Sequence, residues 1–318
     1  MRRPGLALLA GLLLGGCASE QPTGSVREKT LLSHAQILTG ARLNQQTAPL
    51  FNAPPRLPAS GQVSFLAPVA AAARNQVIYI ADLGHRQVFR YDAGQMQMVR
   101  FADIIPGNAM SMAVAPDTSL FLADASEPQV QQFSWDGRLL RTFAHQNVVA
   151  RPVGIALDDA TRQLFVADSL YNHVVVFNSL GRALGTLKSV AARSLEAMTR
   201  GPDGLYLVDS MSRQVVVMGL DGIDRYAFGS EVLKLPHAIA VDRYNRVFVS
   251  DDFDNTIKVF DRREMVASIG GAGSVPAGFN RVSFLSLDHH TLYVADTLNG
   301  RIKTFQLAPP RDRNVAPE

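Results

Sequence analysis

Three sets of residues in this sequence could do chemistry. The first is a lone thiol. Cys17 is the only cysteine among 318 residues, and it follows the basic start Met1-Arg2-Arg3 and an apolar stretch from Leu6 to Gly16. A single cysteine supports neither a disulfide framework nor a multi-cysteine metal site, so the chemistry open to it is modification of the thiol itself. The second set is six aspartates, Asp82, Asp124, Asp168, Asp209, Asp251 and Asp296, spaced 42, 44, 41, 42 and 45 residues apart. A ring of carboxylates invites a cation. Yet each Asp closes an apolar run just before a turn, where a carboxylate accepts backbone N–H groups. Anything present in every unit serves the frame before it serves a site, so the architectural reading is preferred. The third set is Glu196 with His237, which the repeat spacing places on neighbouring strands, within reach of each other as a general acid/base pair or as a buried hydrogen-bonded pair.

The spacing of the aspartates reports a six-fold repeat. Three residues before each Asp stands an aromatic: Tyr79, Phe121, Phe165, Tyr206, Phe248 and Tyr293. Six residues after it stands a β-branched aliphatic (Val88, Val130, Val174, Val215, Ile257, Ile302), and nine after it Tyr91, Phe133, Phe177, Met218, Phe260 or Phe305. Runs such as Leu164-Phe165-Val166-Ala167 and Val174-Val175-Val176-Phe177 are continuously apolar and β-prone, which means strands covered on both faces. Turn pairs follow the third strand at Ala93-Gly94, Asp136-Gly137, Leu180-Gly181 and Asp221-Gly222. No segment carries a convincing 3.6-residue period. Units of this length with four short strands describe an all-β fold, a six-bladed β-propeller.

The units resemble the NHL repeat. Pro152-Val153-Gly154-Ile155-Ala156-Leu157-Asp158 with Leu164 to Asp168, Asn172 and Val174 to Phe177 carries the likeness best, and Pro236 to Asp242 with Val247 to Asp251, Asn255 and Ile257 to Phe260 follows it. The other units keep the Asp and aromatic columns without the opening Pro-x-Gly. The resemblance implies an NHL-like propeller over 61–307, and it carries no particular function across. After Leu307, Pro309-Pro310 blocks a further strand, and 308–318 reads as a tail. The stretch Gln62-Val63-Ser64-Phe65-Leu66 reads as an unattached outer strand that completes the sixth blade and closes the ring. Residues 17–60 read as a tether bounded by Gln21-Pro22-Thr23-Gly24-Ser25 and Asn52 to Pro58, with Leu31 to Leu43 open to one short helix.

The start of the chain suits a secretory leader, 1–16, whose apolar core is too short to span a bilayer. Leu14-Gly15-Gly16-Cys17 resembles the bacterial lipobox. That resemblance implies lipidation of Cys17, cleavage before it and membrane anchoring through several acyl chains. Ala18-Ser19, with no Asp at the second mature position, implies the outer membrane. Once the leader is gone, 29 basic face 28 acidic side chains, and no Lys/Arg cluster suited to a phosphate backbone is present, so nucleic acid is not an expected partner.

Function should lie where the repeat varies. In a four-stranded meander, the loops joining second to third strands and those joining blade to blade emerge on one face. That face carries the candidate binding residues Arg86, Tyr171, Arg193, Phe253 and Arg281, with Glu196 and His237 near the inner strands. Arg and aromatic residues suit interface anchors. By repeat alignment the counterparts of His237 are Met110, Val153 and Leu195, so a zinc site of the kind similar propeller lyases hold lacks its ligands. No catalytic residue, metal or cofactor is assigned. The expectation is a monomeric envelope lipoprotein, bound to the membrane through Cys17, whose propeller binds another envelope protein, a peptide or a glycan. The alternative is a propeller enzyme, of lyase or lactonase type, acting at the central channel mouth.

Overall fold

Strands form where the apolar runs can be covered from both sides, and radial stacking of sheets supplies that cover. The computed structural model describes residues 18–20, 32–43, 61–102, 104–145, 147–274 and 277–310. Six antiparallel sheets are the blades of a propeller. Their innermost strands are Pro68–Arg74, Met110–Val114, Pro152–Asp158, Leu195–Gly201, Pro236–Val241 and Val282–Asp288. Each innermost strand packs on the next, and the sixth packs on the first, so the ring is closed.

The repeat columns are the core. All six aromatics, all six β-branched residues and all six large residues of the last column are buried between blades. Each second strand ends on its column aspartate, as in Gly204–Asp209 and Val247–Asp251. The turns after the third strands need left-handed backbone at Gly137, Gly181 and Gly222 (φ 88°, 82° and 81°), where a side chain would be strained. Each of these glycines donates its N–H to the carbonyl three residues back. The register slips by one residue beside each of these turns, the combination of turn and bulge that three-residue hairpin loops favour.

The closing strand differs from the one expected. Leu32–Leu38 pairs antiparallel with the sixth blade's third strand, Arg301–Leu307, and takes the place assigned above to Gln62–Leu66. Gly61–Ser64 pairs instead with Gly40–Leu43, which runs parallel to the first blade's outer strand, Gln97–Ala102. The segment 32–43 is therefore two strands, neither a helix nor a free tether. Its local sequence has no strong preference, and the exposed edge of Arg301–Leu307 decides the outcome by offering unpaired backbone groups. Leu32, 1% exposed, fills the core between blades five and six. At Thr39-Gly40 the chain crosses from the sixth sheet to the first. A Cβ on Gly40 would lie 2.0 Å from the Val63 carbonyl oxygen, so only glycine permits this approach. Ala41, Val63 and Phe65 then pack with residues of both blades, among them Ile80, Phe89 and Ile302. The leader 1–16, Cys17 and tail residues 311–318 lie outside the described residues.

Leu32→Asp should strip the closing strand from the sixth blade and lower stability by about 3 kcal/mol or more, given what buried leucines contribute. Thermal melting of the two proteins checks this. An unchanged melting temperature would show that the ring closes without the 32–38 strand.

Candidate functional site

The column aspartates show first how the loop face is held. Asp209, fully buried, accepts N–H groups from Arg193 (3.0 Å) and Ser194 (3.0 Å) in the loop entering its blade, and from Met211 (3.2 Å) and Ser212 (3.2 Å) in the following turn. Asp168 does the same with Ala150, Arg151 and Tyr171, and Asp82 with Leu66, Ala67 and His85. Asp251 takes Lys234, Leu235 and Phe253, with the buried Lys258 ammonium beside it. Asp296 binds Asn280 N–H and Arg301. Asp124, half-buried, receives only Ser126 in this way. In every blade but the second, the oxygens a cation would need are already engaged. Burial pushes the Asp209 carboxyl up, but the N–H groups of Arg193, Ser212 and Ser194 outweigh it and hold the group below the usual carboxylate value. Asp251 is also held low, by Lys258 and its backbone donors against burial.

Inside this frame, inner-strand residues from all six blades line a cavity of about 720 Å³ on the propeller axis. Glu196 and His237 meet there: His237 Nδ1 lies 3.0 Å from Glu196 Oε1. Both belong to strand starts where the register is interrupted, between Leu195 and Ala197 and between Pro236 and Ile239. Such bulges re-aim side chains, here into the cavity mouth. Strand pairing also corrects the repeat alignment. The residues that follow those opposite the column aspartates are Val69, Ser111, Val153, Glu196, His237 and Ser283, so Glu196 is itself the counterpart of His237, and Ser111 replaces Met110. One histidine, one glutamate, two serines and two valines do not make a zinc site. Among the described residues no cluster of three metal-ligating side chains occurs.

The pair has two charged neighbours. Burial would lower the His237 pKa, but the Glu196 hydrogen bond and the charges of Asp252 and Glu196 prevail over burial and the opposing Arg281, raising it above 6.5. Asp252 is itself raised by burial, against the pull of His237 and Arg281. Four groups from blades four to six thus form one electrostatic unit that favours a protonated imidazolium. Asp252 could have been found in the sequence. It follows a column aspartate where the other blades have Leu83, Ala125, Ser169, Ser210 and Thr297, and only this blade has a second carboxylate there.

Arg281 therefore joins Glu196 and His237, whereas Arg86, Tyr171, Arg193 and Phe253 are spread around the loop face. All four are exposed. Arg86 adopts a left-handed turn conformation (φ 55°), and Tyr171 packs on the His173 ring at 5.5 Å. Arg193 and Phe253 each donate the backbone N–H to a column aspartate, so their side chains project from fixed backbone.

Two outcomes follow from these partners. Asp209→Ala leaves up to four N–H donors unpaired and should lower stability by about 3 kcal/mol. Because the folded pKa values of Asp209 and Asp251 are depressed, their contribution is present above the ordinary carboxylate range and is lost as pH falls through the folded values. Wild-type stability should therefore hold from neutrality to about pH 5 and fall steeply below about pH 4. Denaturant unfolding across that range reads both effects. For His237, Glu196→Gln should shift the imidazole titration downward, since burial then acts with less opposition. NMR titration of the ring protons decides this, and an unmoved midpoint would show that Glu196 does not set the charge of His237.

No family profile matches the chain, and no curated protein matches it in sequence. Solved structures do share its shape. A protein of unknown function from Bacteroides thetaiotaomicron superposes with a TM-score of 0.61 at 14% identity, over 77% of this chain and 70% of that one. A streptogramin B lyase superposes at 0.59 and 9% identity, over 76% and 94%. A catalytically inactive virginiamycin B lyase from Staphylococcus aureus, solved with quinupristin, superposes at 0.57 and 13% identity, over 75% and 80%. At these identities the likeness establishes the fold alone: the chain is a six-bladed β-propeller.

Proposed function

We propose that this chain is a lipid-anchored, NHL-like propeller of the bacterial envelope, seated in the outer membrane through Cys17. Its axial cavity binds a ligand at Glu196 and His237, whose charge Asp252 and Arg281 tune from beside the mouth. The ligand is a segment of another envelope protein, a peptide or a glycan. The Glu196–His237 pair carries this reading. It joins neighbouring inner strands inside a cavity of the size small-ligand sites have, and it breaks the repeat where the frame needs no charge. The anchor rests on Leu14-Gly15-Gly16-Cys17 and its likeness to the lipobox.

Capture from detergent-solubilised envelopes by the lipidated protein tests the binding role. His237→Ala and Glu196→Gln should each reduce capture about tenfold, the equivalent of one lost charge-assisted hydrogen bond, with little change in melting. Normal capture by both variants would remove the cavity mouth from the reading.

The same pair also supports the enzymatic alternative, in which His237 acts as general acid/base and Glu196 orients it, on a fold shared with streptogramin B lyase. Turnover of a cyclic ester or peptide such as quinupristin, abolished in His237→Ala, would establish catalysis over binding.

A further inference from the structure

The loop face carries a second feature that the cavity does not use. Two residues after the column aspartate, blades three to six present Leu170, Met211, Phe253 and Leu298, and these are 65%, 67%, 71% and 61% exposed. Blades one and two have Gly84 and Ser126 at that position. Four consecutive blades thus hold apolar side chains out into solvent at one height. Around them stand Arg151, Arg193, Arg213 and Lys234, all exposed on the same loops. None of these cations forms an ion pair with a described carboxylate. Of the acids on this arc, Asp254 is engaged by Lys258 at 3.2 Å, and Asp252 and Glu196 face His237 and Arg281 at the cavity mouth, which leaves Glu231.

The opposite face has exposed apolar residues too, but of different character. Met96, Trp135, Leu180 and Ile223 stand apart in hairpin turns that hold charges of both signs, Asp92, Asp136 and Asp221 beside Arg138, Arg182 and Arg225, the last paired with Asp221 at 2.6 Å. An anionic surface would meet unpaired cations around the apolar arc of the loop face, and charges of both signs around the scattered apolar residues of the turn face.

The direction of the N-terminal strand identifies what covers the arc. Ala18–Glu20 pairs antiparallel with Leu32–Leu38, Ala18 lying opposite Ile37 and Ile37 opposite Lys303. Lys303 lies two residues from Arg301, where the loop-face turn of blade six ends. Ala18 is therefore within about 10 Å of the loop face at 3.3 Å per residue, and the strand heads towards that face in the direction of Cys17. Ala18, the described residue next to Cys17 in sequence, and the apolar arc share one side of the disc.

We infer that blades three to six dock the loop face on an anionic lipid surface, with Leu170, Met211, Phe253 and Leu298 entering the headgroup boundary and the surrounding Arg and Lys side chains meeting the headgroups. Apolar groups ringed by cations bind such surfaces by combining burial with electrostatic attraction. Because blades one and two lack the apolar residue, the disc tilts. Their side of the cavity mouth stays open to the compartment, so a ligand can still reach Glu196 and His237. This inference rests on the lipoprotein reading for the orientation of the disc, but the arc itself does not.

The single native tryptophan, Trp135, stands on the turn face and serves as an internal control. The purified protein, with the mass at Cys17 recorded, is mixed with phosphatidylethanolamine–phosphatidylglycerol vesicles whose acyl chains are brominated. In a Trp135→Phe background, the indole of Phe253→Trp should be quenched about twofold or more, while Trp135 in the native chain stays unquenched. Adding Leu170→Asp and Met211→Asp should abolish the quenching, and high salt or phosphatidylcholine vesicles should weaken it. No quenching of the Phe253→Trp indole, or equal quenching of Trp135, overturns the docked face. So does a response of that indole to solubilised envelope protein but not to vesicles, which would make the arc a protein interface. An acylated Cys17 without quenching leaves the anchor standing and the docking refuted. Quenching without acylation does the reverse.

Discussion

The architecture depends on a carboxylate at the end of each second strand, buried in every blade but the second. Where a propeller chain enters a blade and where it turns after the second strand, successive backbone N–H groups point away from any ladder partner, and burying them unpaired is costly. One aspartate meets both needs at once. At Asp209, donors from residues 193–194 and from 211–212 converge on two oxygens. Bonds to an ionised acceptor are the stronger kind, and burial keeps water from competing for them. In blades five and six a cation, Lys258 or Arg301, is buried beside the carboxylate as well. The loop face is thereby a rigid surface whose backbone is specified by residues that point inward. Side chains that point outward from it, such as Tyr171 and Phe253, can vary without disturbing the frame.

A ring of like units needs one join that is unlike the rest. Here 32–43 supplies it, crossing from the sixth sheet to the first at a glycine that no other residue could replace. The join also fixes where the N-terminal strand lies, since Ala18–Glu20 adds to the outside of the closing strand. Closure thus has a second consequence: the strand that removes the free edge of blade six also fixes the direction of Ala18–Glu20.

The parts of this molecule that were legible in the sequence are those that recur. The same inter-blade environment selects the same residue types six times, so the aspartate, aromatic and β-branched columns report the fold directly. The closing strand had no column to belong to. Leu32 pairs with Leu307, 275 residues away, and nothing local distinguishes it from a short helix. Gln62–Leu66 was found at the seam but on the wrong sheet, because its alternation describes an outer strand without naming its partner. The cavity mouth was half legible. Glu196 and His237 stood out as charges on inner strands, but their equivalence was missed by one residue, since blades two and four lack the opening proline that marks the strand start and bulges shift the register beyond it. Asp252 was visible only as a departure from its neighbours in the repeat, a signal that requires the repeat to be aligned first.

The cavity mouth and the apolar arc occupy the same side of blades four to six, and their electrostatics act together. A negatively charged lipid surface holds a potential that concentrates protons within a Debye length. Glu196 and Asp252 already favour the protonated form of His237, so a nearby anionic surface pushes the imidazole in the same direction, while Arg281 sets the limit from within the site. The group that distinguishes this propeller from a plain scaffold is then an imidazole whose protonated form Glu196 and Asp252 favour. Its charge is governed first by the inner strands that carry Glu196 and His237, and a lipid surface docked as proposed would act second, in the same direction.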